Sequence, residues 1–271
     1  MNLEALRTLL IDGDGVLWRS DEAIPGLPRL FNVLEDRGTD WALLTNNSTR
    51  AVGQYVEKMG KFGIKASASK IFSSGTVTAT YLGQRFSDGD ALYVIGESGF
   101  KRTLTDTGFV VQDGDELPDD IVAVVLSLDR ELTYNKLKVA TLLIRSAVPF
   151  IATNTDRTLP TPNGLIPGTG SILAALVAAT GIEPTVIGKP EPMLYKTAME
   201  HLNADPKTTA MLGDRLETDI LGAHRIGICS IAVLTGITTR DQLEISDIQP
   251  DYVYESIAEL ADVLETIATS A

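Results

Sequence analysis

Short apolar runs alternate with amphipathic stretches along nearly the whole chain. Runs at 8–12, 40–45, 91–95, 121–127, 149–153, 184–188, 208–213, 228–234 and 251–254 are bounded by Gly, Asp, Asn or Pro, which predicts buried strands. Between them, apolar residues recur at helical spacing over 26–37, 49–62, 76–86, 133–147, 170–180, 191–203, 217–226 and 256–268. Helix starts are marked at Pro25-Gly26, Ser48-Thr49 and Pro190-Glu191-Pro192. Such alternation predicts an α/β fold in which parallel sheets are covered on both faces. The middle third carries its own alternating set and two polar joints, Ser87-Asp88-Gly89-Asp90 and Asp113-Gly114-Asp115-Glu116. It is expected to form a smaller α/β unit, 83–183, inserted into a core made of 1–82 plus 184–271. There is no internal repeat.

In an open parallel sheet, ligands bind beyond the carboxyl ends of the strands. Four predicted strands deliver polar residues there. The first gives Asp12 and Asp14, each followed by a glycine. The second gives Thr45, Asn46 and Asn47 ahead of the pair Ser48-Thr49. Thr185-Val186-Ile187-Gly188 gives Lys189, and Thr209-Ala210-Met211-Leu212 gives Gly213, Asp214 and then Asp219. Singly, each has a plain reading: a turn, a helix cap, a solvated lysine. Jointly, at one end of one predicted sheet, they point to chemistry. Asp12, Asp14 and Asp214 are hard oxygen ligands suited to magnesium, which is held by few carboxylates plus phosphate. The Thr45 hydroxyl and amides near a helix start can hold phosphate oxygens. Lys189 adds a point charge. A carboxylate approaching a phosphate faces repulsion of about 4 kcal/mol per unit-charge pair at about 4 Å and an effective dielectric of about 20. A dication and a lysine beside the reacting oxygens offset it.

The 271 residues carry a formal net charge of -13, with 44% hydrophobic residues. A core of useful size follows, and an acidic surface argues against a nucleic-acid polymer or an anionic membrane as partner. No signal peptide and no apolar run of membrane-spanning length is evident. The only cysteine, Cys229, lies in a predicted strand, which suits a reducing cytoplasm and a small buried side chain. Two histidines, His201 and His224, fall in helical patterns, so a nitrogen/sulfur zinc site is not expected.

These residues resemble the haloacid dehalogenase superfamily of phosphatases, whose four motifs match in order. They are Asp12-Gly13-Asp14-Gly15-Val16-Leu17, Leu44-Thr45-Asn46, Lys189-Pro190, and Gly213-Asp214 with Asp219. Phe150-Ile151-Ala152-Thr153-Asn154-Thr155-Asp156 and Ile187-Gly188-Lys189-Pro190 make the chain most similar to the NagD-like, 4-nitrophenylphosphatase-like branch. The resemblance implies a Rossmann-like core with an inserted α/β cap, and a magnesium-dependent phosphomonoesterase acting on a small phosphorylated metabolite: a nucleotide monophosphate, phosphoglycolate or a sugar phosphate. It implies Asp12 as the nucleophile that forms an aspartyl-phosphate, and Asp14 as general acid, then base. Asp12, the main-chain carbonyl of Asp14 and Asp214 would bind magnesium. Thr45, Asn46 and Lys189 would hold the phosphoryl group, and Asp219 would orient a metal-bound water or Lys189. The loop 153–157 would contact substrate through Asn154 and Asp156; its plain alternative is a polar turn. Caps of this type often pair subunits in the family, so the resemblance leaves room for a homo-oligomer formed through the cap, while the sequence itself is silent on oligomeric state.

The same residues also fit other readings. A phosphotransferase or phosphomutase would share the first step. A receiver-type signalling module also uses strand-end aspartates, a threonine and a lysine, but is about half this length. A dinucleotide-binding module is hinted by Gly13-x-Gly15, yet Trp18 stands where its third glycine would fall. Gly168-Thr169-Gly170-Ser171 lacks the lysine of a phosphate-binding loop and reads as a helix start.

Overall fold

A computed structural model of the chain describes residues 1–161 and 163–269. It contains two compact units, residues 1–45, 52–72 and 189–271 in the first, and 46–51 with 73–188 in the second. Each is built on a parallel sheet with helices, an α/β arrangement.

The sheet of the first unit has six strands in the order Tyr252–Tyr254, Cys229–Val233, Thr209–Gly213, Thr8–Ile11, Asp40–Thr45, Ile71–Ser73. Thr8–Ile11 is buried throughout and pairs in parallel with Thr209–Gly213 on one side and Asp40–Thr45 on the other. Strands later in the chain sit on both sides of it, so strand order reverses there, where α/β sheets place their ligands. Ile11 is opposite both Leu212 and Leu43, which brings the residues after these strands to one edge. The helix Leu27–Asp36 buries Leu27, Leu30, Phe31, Val33 and Leu34 and packs on the helix Ile257–Thr269, with Leu9 and Ile11 in the same core.

The second unit has five parallel strands in the order Thr185–Val186, Phe150–Ala152, Ile121–Leu126, Ala91–Ile95, Val110–Gln112. Tyr93, Ile95, Val124 and Leu126 pack against the helices Tyr134–Arg145 and Thr169–Thr180. The helix Ser74–Gly83 lies in this unit, so the chain passes into it near residue 73 rather than 83. Close packing explains the difference: a Cβ on Gly75 would stand 3.2 Å from Phe100 and from Ser48, both in the same unit.

A second difference concerns the predicted strand 184–188. Thr185–Val186 pairs with Ile151–Ala152 in the second unit's sheet, and the Ile187 and Gly188 amides donate to Ala152 and Thr153 carbonyls at 3.0 and 2.8 Å. Lys189 therefore does not follow a strand of the six-stranded sheet. Three of the four expected clusters sit at that sheet's strand ends; Lys189 arrives on the chain returning from the other unit.

Elements absent from the sequence reading were short or contained proline. The helix Ser98–Asp106 buries only Phe100 and Leu104. The hairpin Thr158–Thr161 with Gly164–Pro167 lies outside both main sheets, and its strands hold Pro160 and Pro167.

Candidate active site

The chain leaving Thr8–Ile11 turns back at once. The Leu17 and Trp18 amides donate to the Gly13 carbonyl at 2.9 and 3.2 Å, and the Gly15 amide donates to the Trp18 carbonyl at 2.8 Å. Gly15 has φ +89°, and a Cβ there would stand 2.5 Å from Asp214 Oδ2. Both the backbone conformation and the close approach require glycine. Gly213 and Gly236 are equally constrained, since a Cβ on either would collide with Asp219 or Asp214.

Asp219 sits in a wide π-helical turn, Leu216–Ile220, that opens the helix Leu221–Ile226. Turns of this kind recur at functional sites. Here it aims the Asp219 carboxylate back at the strand end, where Oδ2 accepts from the Asp214 and Arg215 amides at 3.2 and 3.1 Å. Tyr195 closes the far side: its hydroxyl donates to the Thr218 carbonyl at 2.9 Å, and Gly222 leaves room for it. Neither Tyr195 nor the Ile237 amide belongs to a motif, and no sequence signal pointed to them.

Asp12, Asp214 and Asp219 are all buried, and one ligand oxygen from each lies within 4.8 Å of the others. Lys189, 2% exposed, is ion-paired with Asp12 and with Asp219, the latter at 2.8 Å, and donates to the Leu44 carbonyl at 3.1 Å. Burial disfavours its charge, but Asp12 and Asp219 outweigh that and hold the ammonium above the usual lysine range. Burial also pushes the Asp12 carboxyl well above the carboxylate range; Lys189 opposes the rise, and Asp219 and Asp214 add to it. Asp214 is pushed up to about 7, by burial first and then by Asp219.

Asp214 Oδ2 accepts from the Ile237 amide at 2.7 Å, whereas its buried Oδ1 has no hydrogen-bond partner among the described residues. A buried, unpartnered carboxylate oxygen facing two further carboxylates is the donor set that a hard cation satisfies. Asp12 and Asp214 therefore fit a divalent ion. Asp219 Oδ2 accepts from two main-chain amides, and its Oδ1, like Asp214 Oδ1 without a hydrogen bond among the described residues, is ion-paired with Lys189 at 2.8 Å; the engaged Oδ2 and the ion pair suit an orienting role. The side chain of Asp14 stands outside this cluster, with Oδ1 accepting from the Trp18 indole at 3.0 Å. Thr45 is buried at the end of its strand.

The remaining predicted residues form a polar cluster in the second unit. Asn46 Nδ2 donates to Asp156 Oδ1 at 3.2 Å, and Asn154 Nδ2 donates to the Asn46 carbonyl at 2.9 Å. Asn154 Oδ1 accepts from the Asp156 amide at 3.1 Å. The Asn154 amide group is thus engaged in holding the loop 153–156. Cys229 is buried in its strand, and burial raises its thiol to about 11. His201 packs edge-on against Phe72, and His224 meets Ser230 at 3.1 Å; neither joins the carboxylates.

Comparison with known proteins shows the family. A haloacid dehalogenase-like hydrolase model matches residues 9–110, and a second HAD-hydrolase-like model matches 186–260. The chain is 36% identical to an acid sugar phosphatase of Staphylococcus saprophyticus, over 96% of this chain and 98% of that one. A 4-nitrophenylphosphatase from Thermotoga maritima superposes with a TM-score of 0.89 at 34% identity, over 97% and 98% of the two chains. A glycerol phosphate phosphatase from Mycobacterium tuberculosis, solved in complex with calcium, gives 0.84 at 29% identity, over 95% of this chain and 75% of that one.

Proposed function

Because the chain belongs to the haloacid dehalogenase-like hydrolases and is a phosphatase of their NagD-like branch, we propose that it is a magnesium-dependent phosphomonoesterase acting through an aspartyl-phosphate on Asp12. Sugar phosphates are the favoured substrate class, and 4-nitrophenyl phosphate is the favoured reporter, in line with the names of the relatives. The observation that carries the metal dependence is the buried carboxylate group with one lysine and an unpartnered Asp214 Oδ1.

In this reading an Asp12 oxygen attacks phosphorus and the bond to the ester oxygen breaks. Asp14 gives its proton to the departing alkoxide, which leaves as the alcohol. Asp14, now a carboxylate, takes a proton from water as that water attacks phosphorus. The bond to Asp12 breaks and inorganic phosphate is released. Lys189 and Thr45 hold phosphoryl oxygens, and Lys189 also keeps one oxygen of Asp12 oriented. Magnesium, held by Asp12, Asp214 and the main-chain carbonyl of Asp14, would screen the phosphate charge from the carboxylates. Asn46 is the candidate for a further phosphoryl contact, and Asp156, in the loop that Asn154 holds, for contact with the alcohol portion.

The test is phosphate release from a panel of sugar phosphates, nucleotide monophosphates and phosphoglycolate, with and without magnesium, beside the Asp12→Asn variant. The expected result is turnover that needs the metal and vanishes in a folded Asp12→Asn protein. Appreciable turnover by that variant would remove Asp12 from the nucleophile's role.

A further inference from the structure

The turn that separates Asp12 from Asp14 folds a tryptophan back against the second aspartate. Trp18 is 1% exposed, and its Nε1–H donates to Asp14 Oδ1 at 3.0 Å. The ring is held on several sides. Tyr55 stacks at 6.4 Å and Phe62 lies tilted at 6.2 Å between centroids. The Lys58 ammonium stands 4.3 Å from the Trp18 ring centroid and donates to the Ser20 carbonyl at 2.5 Å. Trp18 also rests on the turn itself, since a Cβ on Gly13 would meet its Cζ2 at 2.7 Å. An aromatic ring packed this way has no freedom to follow a moving partner, so its N–H is a fixed point.

From this we infer that Trp18 is a positioning residue, whose indole N–H fixes the Asp14 carboxyl group and leaves Oδ2 to carry the proton exchanged with the leaving alcohol. The inference rests on the acid/base role given to Asp14 above and adds the group that orients it. Packing alone needs an aromatic ring at position 18; it does not need a ring nitrogen. The polar edge of the indole faces Asp14, a carboxylate outside the Asp12, Asp214 and Asp219 cluster. If Asp14 swung away, the N–H would lose its partner inside the core, so both members of the pair are held in place. General acid catalysis demands this geometry most when the leaving group is a poor one.

Trp18→Phe keeps a ring in the core and removes the N–H. Its kcat for an alkyl phosphate such as glycerol phosphate is expected to fall at least about tenfold more than its kcat for 4-nitrophenyl phosphate, with both KM values nearly unchanged. Equal losses on the two substrates, or a loss confined to KM, overturn the positioning role. Asp14→Asn, run alongside, separates the two levels. A leaving-group bias there, but none in folded Trp18→Phe, overturns the role of Trp18 alone; no bias in Asp14→Asn overturns both readings. The chain has two tryptophans, so the 15N-indole spectrum of the intact protein has two signals, assigned with Trp41→Phe. The Trp18 signal is expected to shift in Asp14→Asn. A signal that stays in place overturns the contact without requiring Trp18→Phe to fold.

Discussion

Replacing Asp214 by asparagine is expected to stabilise the metal-free protein at pH 8, although it removes a metal ligand. The Asp214 carboxyl is pushed from an ordinary 3.8 to about 7, by burial first and by Asp219 next. The folded protein therefore keeps this proton over a range in which the unfolded chain has lost it. The stabilisation that goes with the proton is complete below about pH 4 and is lost as pH rises to about 7. At about 1.4 kcal/mol per tenfold change in proton affinity, the ionised Asp214 costs the fold on the order of 4 kcal/mol without a cation. Asp12, also raised by burial, acts in the same direction. Asparagine has nearly the shape of the protonated acid and no charge. Urea unfolding in a chelator should give similar stabilities for the two proteins near pH 4.5, with Asp214→Asn the more stable by several kcal/mol at pH 8. Magnesium should narrow that gap at pH 8, because a ligand at about 100 times its Kd adds about 2.7 kcal/mol to the protein that binds it, and about 4.1 kcal/mol at about 1,000 times its Kd would close it. A wild-type protein as stable as Asp214→Asn at pH 8 in chelator would refute the reasoning. So would magnesium that stabilises both proteins equally.

Gly15→Ala should cost most of the activity and about 1–3 kcal/mol of stability, checked by turnover and thermal unfolding, because it combines φ +89° with a clash against Asp214 Oδ2. Asn154→Ala should raise KM more than it lowers kcat, since the loop 153–156 loses the bonds from Asn154 to the Asn46 carbonyl and from the Asp156 amide. Steady-state kinetics on a sugar phosphate checks it.

The carboxylates were legible because like charges placed after buried strands, beside glycines, make little sense for stability alone. Asp12, Asp214 and Asp219 do come together, and the glycines at 15 and 213 are explained by the atoms they admit. The route of Lys189 was not legible. Thr185-Val186-Ile187 reads as a strand wherever it pairs, and local pattern cannot say which of two parallel sheets accepts its edge. Tyr195 was invisible for a related reason: it lies on an ordinary amphipathic helix and acts through its hydroxyl on carbonyls more than 20 residues away in sequence. Trp18 was seen only as a departure from a glycine pattern. Its meaning came from the turn, which brings its indole to Asp14.

Charge balance joins the fold to the chemistry. Asp12, Asp214 and Asp219 face a single buried ammonium, so with all groups ionised the cluster carries two net negative charges, three less one. Strand ends at the centre of a sheet hold these groups close, and tight contacts at Gly15, Gly213 and Gly236 leave them no room to separate. Two remedies are open to such a cluster: take up protons, or bind a dication. The raised affinities of Asp12 and Asp214 for protons express the first, and the unpartnered Oδ1 of Asp214 is suited to the second. The two compete for the same carboxylates. Metal affinity should therefore fall as pH drops below about 7, while Lys189, held above the usual lysine range by Asp12 and Asp219, stays charged throughout. Magnesium titrations at pH 6 and pH 8, read by protection against thermal unfolding, should show the weaker apparent Kd at pH 6, and an equal Kd at the two pH values would break the link between the buried charge and the cation.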